Sequence, residues 1–279
     1  MKKWVLSSLI ILIIAALAAC GGGNKEAAGS KGEKAEGLLD DGKLTVGVTA
    51  GPHEQVLEKV KELAAKQDLD IEVKVFTDYI MPNIALDEKE LDLNLFQTIP
   101  YLEQFNKDRD MDLVEVGKAL TFPMGIYSSK VKDVKDLPKG AKIGLPNDPT
   151  NGGRALVLFE SAGLIKLKEG SGTAPTVKDV EENENDYELV ELEASQLPRQ
   201  LEELDAAAIN TNFAIEHGLK PAKDSIFIES SDSPWVNVAA ARPESKDDEA
   251  IQKFWDVYRS DEVKQYIDET FEGSVIPSW

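Results

Sequence analysis

The chain has 279 residues, with 31 Lys and Arg against 51 Asp and Glu and a formal net charge of −20. That balance excludes a nucleic-acid binder, because phosphate contacts need clustered Lys and Arg and so acidic a surface repels a polyanion. With 42% apolar and 29% charged residues the chain can build a globular core, whereas one cysteine and two histidines allow no intrachain disulfide and supply too few soft ligands for a zinc or copper site.

Lys2 and Lys3 precede an unbroken apolar run from Leu9 to Ala19. A membrane-spanning helix needs about 20 apolar residues, so this shorter run reads as an export signal. It ends in Leu17-Ala18-Ala19-Cys20, which resembles the lipobox of bacterial lipoproteins. That resemblance implies a signal peptide at 1–19, a diacylglyceryl group on Cys20 and an anchor on the extracytoplasmic face of the cell membrane. Residues 21–37 hold six glycines and no apolar side chain larger than alanine. Such a segment cannot build a core and predicts a flexible tether with a reach of about 20–25 Å. Residues 20–42 are therefore expected to be linker.

From Leu44 the pattern changes. Leu44, Val46 and Val48 alternate with smaller or polar residues up to Gly51-Pro52, which predicts a strand. Val56, Leu57, Val60, Leu63 and Ala64 then share one helical face, and Ile71, Val73 and Val75 return to period two. The result is a β-α-β unit. Further strands are predicted at 91–96, 113–116, 142–145, 187–192, 206–209, 226–228 and 236–240, with helices at 100–107, 151–162, 198–204 and 212–216. Strands interleaved with helices imply an α/β protein with a mostly parallel sheet covered on both faces. After Arg242 the residues Ile251, Phe254, Trp255 and Tyr258, then Val263, Ile267 and Phe271, predict two amphipathic helices. The polar loop 168–186 is expected to be peripheral.

Enzyme motifs are missing: there is no G-x-S-x-G elbow, and residues 144–154 lack both the phosphate-loop and the dinucleotide patterns. His53 follows a proline at a helix start and His217 precedes Gly218 at a helix end, so both read as structural terminus residues. The turn between Leu145 and Arg154 is the most informative stretch. A helix N-terminus with a guanidinium beside it suits a small anion, although a capped βα loop with a solvent-facing arginine fits the same pattern. Tyr79, Phe96 and Tyr101 can wall an apolar slot or pack as core. Asn210 and Asn237 each adjoin an apolar strand, where ligands of α/β sheets bind and where turn residues also sit.

Seven segments taken together resemble one family. They are Thr49–His53, Asp78–Asn83, Phe96–Leu102, Pro146–Asn151, Glu191–Arg199, Ile209–Asn212 and Ser233–Asn237. In this order they are similar to the methionine-binding lipoproteins of methionine ABC importers, the NlpA lipoprotein family. The resemblance implies a periplasmic-binding-protein fold of two α/β lobes joined by two crossing strands, near 123–129 and 237–242. The first lobe is then 43–126 with 239–279, and the second 127–238. It also implies that Arg154 holds the ligand carboxylate, that Asn210 and Asn237 bind its polar backbone, and that Tyr79, Phe96 and Tyr101 enclose its thioether. Thr98 stands where many members have histidine, which widens the candidates from L- or D-methionine to a methionine-containing dipeptide or another apolar amino acid. The implied partners are that small-molecule ligand, an ABC permease and the membrane through the lipid on Cys20. No cofactor, metal, nucleic acid or enzymatic activity is expected, and the protein is expected to be a monomer. A surface interaction lipoprotein with a non-functional cleft is the alternative from another class.

Overall fold

The computed structural model describes residues 37–39, 42–230 and 234–279. The expected export signal, the lipidation site Cys20 and the glycine-rich tether up to residue 36 lie outside the described residues, whereas at the end of the expected linker Leu38 is buried in the core and its N–H donates to Asp248 Oδ2 at 3.0 Å. Among the described residues no helix is long and apolar enough to cross a membrane.

The folded chain begins with β1 (Leu44–Thr49), α1 (Pro52–Ala64), β2 (Ile71–Phe76), α2 (Met81–Asp87), β3 (Leu93–Thr98), α3 (Ile99–Arg109) and β4 (Val114–Thr121). β1 pairs in parallel with both β2 and β3. It is an interior strand of its sheet, with Leu44, Val46 and Val48 fully buried, which is why no charge falls among its residues. After residues 122–124 the chain enters a second sheet.

That sheet is built from β5 (Gly125–Tyr127), β6 (Lys142–Pro146), β9 (Glu188–Leu192), β10 (Ala206–Ile209) and β11 (Ser225–Ile228) in the order β11-β5-β10-β6-β9. Between these strands run α4 (Pro149–Ser161), the short pair β7 (Lys166–Leu167) and β8 (Val180–Glu182), α5 (Leu197–Gln200), α6 (Thr211–Glu216) and α7 (Pro221–Asp224). The chain then returns through β12 (Val236–Ala241), α8 (Glu249–Tyr258), α9 (Asp261–Phe271) and β13 (Ile276–Pro277), completing the first sheet as β13-β4-β12-β3-β1-β2. The fold is a two-lobed α/β architecture, one lobe around each sheet.

The structure refines several expectations. The sheets are mixed rather than mostly parallel: β12 is antiparallel to β3 and β4, and β5 is antiparallel to β10 and β11. β12 lies wholly in the first sheet. The helix predicted at 198–204 is one turn, α5, followed by turns in which the Glu203 and Leu204 N–H groups share the Gln200 carbonyl; Leu201 and Leu204 still pack into the core with Leu197 and Phe213. The polar loop 168–186 is not wholly peripheral. A Cβ on Gly153 of α4 would lie 2.6 Å from the Cα of Ala174, so the absence of a side chain there lets this loop lie directly on the helix. The two C-terminal helices pack Ile251, Phe254, Trp255, Val263, Ile267 and Phe271 into the core of the first sheet.

Candidate functional site

One cavity is lined by residues of both lobes. From the first come His53, Tyr79, Phe96, Gln97, Thr98, Tyr101, Phe122 and Asn237; from the second come Asn151, Arg154, Asn210, Thr211 and Asn212. All seven residues singled out from the sequence, Tyr79, Phe96, Thr98, Tyr101, Arg154, Asn210 and Asn237, are therefore on its wall. The space between its walls, open mouth included, is about 370 Å³. His53, Phe96, Thr98, Arg154, Asn210 and Asn237 are all buried.

The aromatic side belongs to the first lobe. Phe96 lies near the end of the wholly buried β3, and Tyr101 stands in the first turn of α3, so the strand-to-helix corner brings both rings together at 6.0 Å, edge to face. Tyr79 lies 5.9 Å from Phe96 and 4.8 Å from Phe213 of the second lobe. Slot and core are not alternatives here. These rings form a small cluster with Phe105 and at the same time present faces to the cavity. The Tyr101 hydroxyl donates to the Tyr79 carbonyl at 2.9 Å, and the Tyr79 hydroxyl reaches across to Asn212 Oδ1 at 2.5 Å. Burial raises the pKa of Tyr79 well above that of a free phenol, so it stays a hydrogen-bond donor. Gly51, at φ 87°, lies where a Cβ would come 3.2 Å from the carbonyl oxygen of Asn212. The lobes meet closely at that point.

The polar side belongs to the second lobe. Arg154 sits in the second turn of α4, not the first, because the helix starts at Pro149 with Asp148 as N-cap. Asp148 Oδ1 accepts from the Asn151 N–H at 2.8 Å, so a protein carboxylate already occupies the end of this helix that the sequence suggested for a ligand anion. Burial raises the Asp148 pKa, and the hydrogen bonds from Asn151 and the Thr150 backbone oppose that rise. Arg154 does face the cavity, but it is not solitary. Its Nε donates to Glu229 Oε1 at 2.8 Å, and its Nη2 donates to Glu229 Oε2 at 2.5 Å and to the Phe122 carbonyl at 2.8 Å. This fixes the guanidinium and leaves Nη1 as the nitrogen with no acceptor among the described residues. The Trp235 ring lies 5.4 Å from its Cζ.

The amides complete the wall. The Asn210 Nδ2 group donates to Asn151 Oδ1 at 2.8 Å, while Asn210 Oδ1 and Asn212 Nδ2 are buried without a hydrogen-bond partner. Asn237, on β12, accepts at Oδ1 from His53 Nε2 at 3.0 Å, and Thr49 Oγ1 lies 2.9 Å from His53 Nδ1. An acceptor at Nε2 and a hydroxyl at Nδ1 select the neutral tautomer protonated on Nε2. Burial agrees, lowering the His53 pKa to about 4 against the opposing effect of the Asn237 bond. His53 thus corrects the reading of a helix-terminus residue without further role, since it orients a cavity amide. His217 fits that reading better. It ends α6, its Nδ1 lies 2.9 Å from the Phe213 carbonyl, and it stands outside the cavity.

Of the additional lining residues, His53, Gln97, Asn151, Thr211 and Asn212 lay within segments already notable in the sequence, and Phe122 lay in none. Glu229, which is off the wall but holds Arg154, lay in none either. Among the described residues, no group of three or more His, Cys, Asp or Glu could hold a metal ion. The wall offers donors at Arg154 Nη1 and Asn212 Nδ2, an acceptor at Asn210 Oδ1 and an apolar slot opposite.

The chain is similar to known proteins over nearly all of this fold. The D-methionine-binding lipoprotein MetQ of Yersinia pestis is 47% identical over 239 residues, covering 85% of this chain and 88% of that protein. A nutrient binding protein from Burkholderia cenocepacia, solved bound to methionine, superposes with a TM-score of 0.83 at 44% identity, covering 85% of this chain and 100% of that one. The crystal structure of the methionine binding protein MetQ gives a TM-score of 0.84 at 45% identity, with 86% and 99% covered. The profile of the NlpA lipoprotein family matches residues 44–279, and this chain belongs to that family.

Proposed function

We propose that this protein is the substrate-binding component of an ABC importer, anchored through lipidated Cys20 on the outer face of the cell membrane, and that it captures methionine and hands it to a permease. The observation that carries this reading is the distribution of polarity around one small cavity. A zwitterion needs donors for its carboxylate, an acceptor for its ammonium and room for its side chain. Arg154 Nη1 and Asn212 Nδ2 supply the first, Asn210 Oδ1 the second, and Tyr79, Phe96 and Tyr101 the third. A thioether near ring edges gains about 0.3–1.5 kcal/mol per contact. A methionine-bound relative at 44% identity supports the same ligand.

The lobes we take as residues 43–122 with 236–279, and 125–228, which assigns all of β12 to the first. Ligand contacts to both lobes favour the closed arrangement, because a ligand shifts a conformational equilibrium only through its preference for one state. The small volume and the Tyr79 to Asn212 bridge favour a single amino acid over a dipeptide. Thr98, buried at the start of α3 and paired in register with Asn237, lines the slot without adding charge.

Isothermal calorimetry of the ligand-stripped protein with L-methionine, D-methionine, glycyl-methionine and leucine tests this reading. Methionine is expected to bind most tightly. Absence of heat and of a melting shift with all four compounds overturns it in favour of a surface interaction lipoprotein.

A further inference from the structure

The acceptor that the ligand ammonium requires depends on which way one amide points. Asn210 could present either Oδ1 or Nδ2 to the cavity, and only Oδ1 attracts an ammonium group. Its own hydrogen bond decides. Asn210 Nδ2 donates to Asn151 Oδ1 at 2.8 Å, and Asn151 Nδ2 in turn donates to Asp148 at 3.1 Å to Oδ1 and 3.0 Å to Oδ2. An ionised carboxylate only accepts, so Asn151 must turn its Nδ2 toward Asp148 and its Oδ1 toward Asn210. Asn210 then has to give its Nδ2 to Asn151. Its Oδ1, on a residue only 8% exposed, is left facing the cavity wall without a partner. The Asn151 backbone N–H, also bonded to Asp148 Oδ1 at 2.8 Å, holds the first link in place.

We propose that Asp148 is a positioning residue for ammonium recognition, acting through Asn151 to fix Asn210 with its carbonyl oxygen toward a primary ammonium group of the ligand. This rests on the reading of the cavity as an amino-acid site and adds a residue that needs no contact with ligand. The relay makes the site selective for a protonated amine. Without it, Asn210 can rotate and offer Nδ2, which repels an ammonium and tolerates a ligand that lacks one.

The test compares L-methionine with 4-(methylthio)butanoate, the same molecule without its amine, by calorimetry on the folded protein. Asp148→Ala is expected to weaken L-methionine by about tenfold or more, the effect of misplacing one buried charge-assisted hydrogen bond. The amine-free analogue should change by no more than about twofold, because its contacts do not involve Asn210 Oδ1. Asp148→Asn keeps an oxygen that can accept from Asn151 but adds an amide that can donate to it, so it is expected to recover part, not all, of the L-methionine affinity lost in Asp148→Ala. Equal losses for the two ligands, no loss in Asp148→Ala, or no recovery in Asp148→Asn would each overturn the relay. Should loss of the helix cap unfold Asp148→Ala, Asn151→Ala breaks the next link with the cap intact and must show the same split between ligands. Failure of the wild-type protein to bind L-methionine at all is a different result, which sinks the amino-acid site itself.

Discussion

The two lobes face the same cavity with different chemistry. The first contributes rings, one neutral histidine and the uncharged Gln97, Thr98 and Asn237, and its side of the wall is held largely by packing: Tyr79, Phe96, Tyr101 and Phe105 touch one another, and the His53 ring lies tilted against Phe122 with 4.5 Å between centroids. The second contributes a cation and amides held by charge and directed hydrogen bonds, through Glu229 on Arg154 and Asp148 on Asn151. Packing tolerates small changes of shape, whereas a buried charge network fails when one member is removed. The polar wall should therefore be the more fragile of the two.

The largest expected effect is Arg154→Ala. It should weaken L-methionine by about 2–5 kcal/mol, the range for truncating one partner of a buried charge pair. It should also lower the melting temperature of the ligand-free protein, because Glu229 loses its bidentate partner. Calorimetry and melting measure the two separately. Near-unchanged affinity would remove Arg154 from the site.

On the other wall, His53 gives a pH signature. Its folded pKa lies near 4 against an ordinary 6.5, so between those values the unfolded chain binds the extra proton and stability rises with pH. The contribution is complete above about pH 6.5, is lost progressively as pH falls toward about 4, and amounts to about 3 kcal/mol. Asp148, whose pKa is raised, works in the opposite direction over acid pH. The informative quantity is thus the difference between wild type and His53→Gln in urea midpoints measured from pH 7 to pH 4. Parallel curves would show that His53 is not held neutral.

The smallest effect concerns the bridge between the walls. Tyr79→Phe keeps the ring against Phe96 and Phe213 but loses the hydroxyl donated to Asn212. The expected loss in methionine affinity is about 1 kcal/mol, with no change in preference for the amine-bearing ligand. An effect as large as that of Arg154→Ala would mean that the aromatic wall is the directed one after all.

Much of this was visible in the sequence. The alternation of period two and period 3.6 located β1, α1, β2, β10 and the terminal helices, because each must bury one face whatever its neighbours are. The residue types at Arg154, Asn210, Asn237 and the three aromatics left a ligand site and structural roles both open, the family resemblance implied an amino-acid ligand there, and all of them line one cavity. Other features could not be read locally. α2 has only seven residues, too few for a helical period to show, and β5 has only three residues, formed because β10 and β11 flank it.

What the sequence by itself determined is the set of elements and the kinds of side chain near the strand ends, since both follow from local periodicity and residue chemistry. The tertiary structure alone decided how those side chains are aimed. Glu229 meets Arg154 from 75 residues away, and Asn237 meets His53 from 184. The direction of a buried hydrogen bond depends on partners that only the folded chain brings within reach.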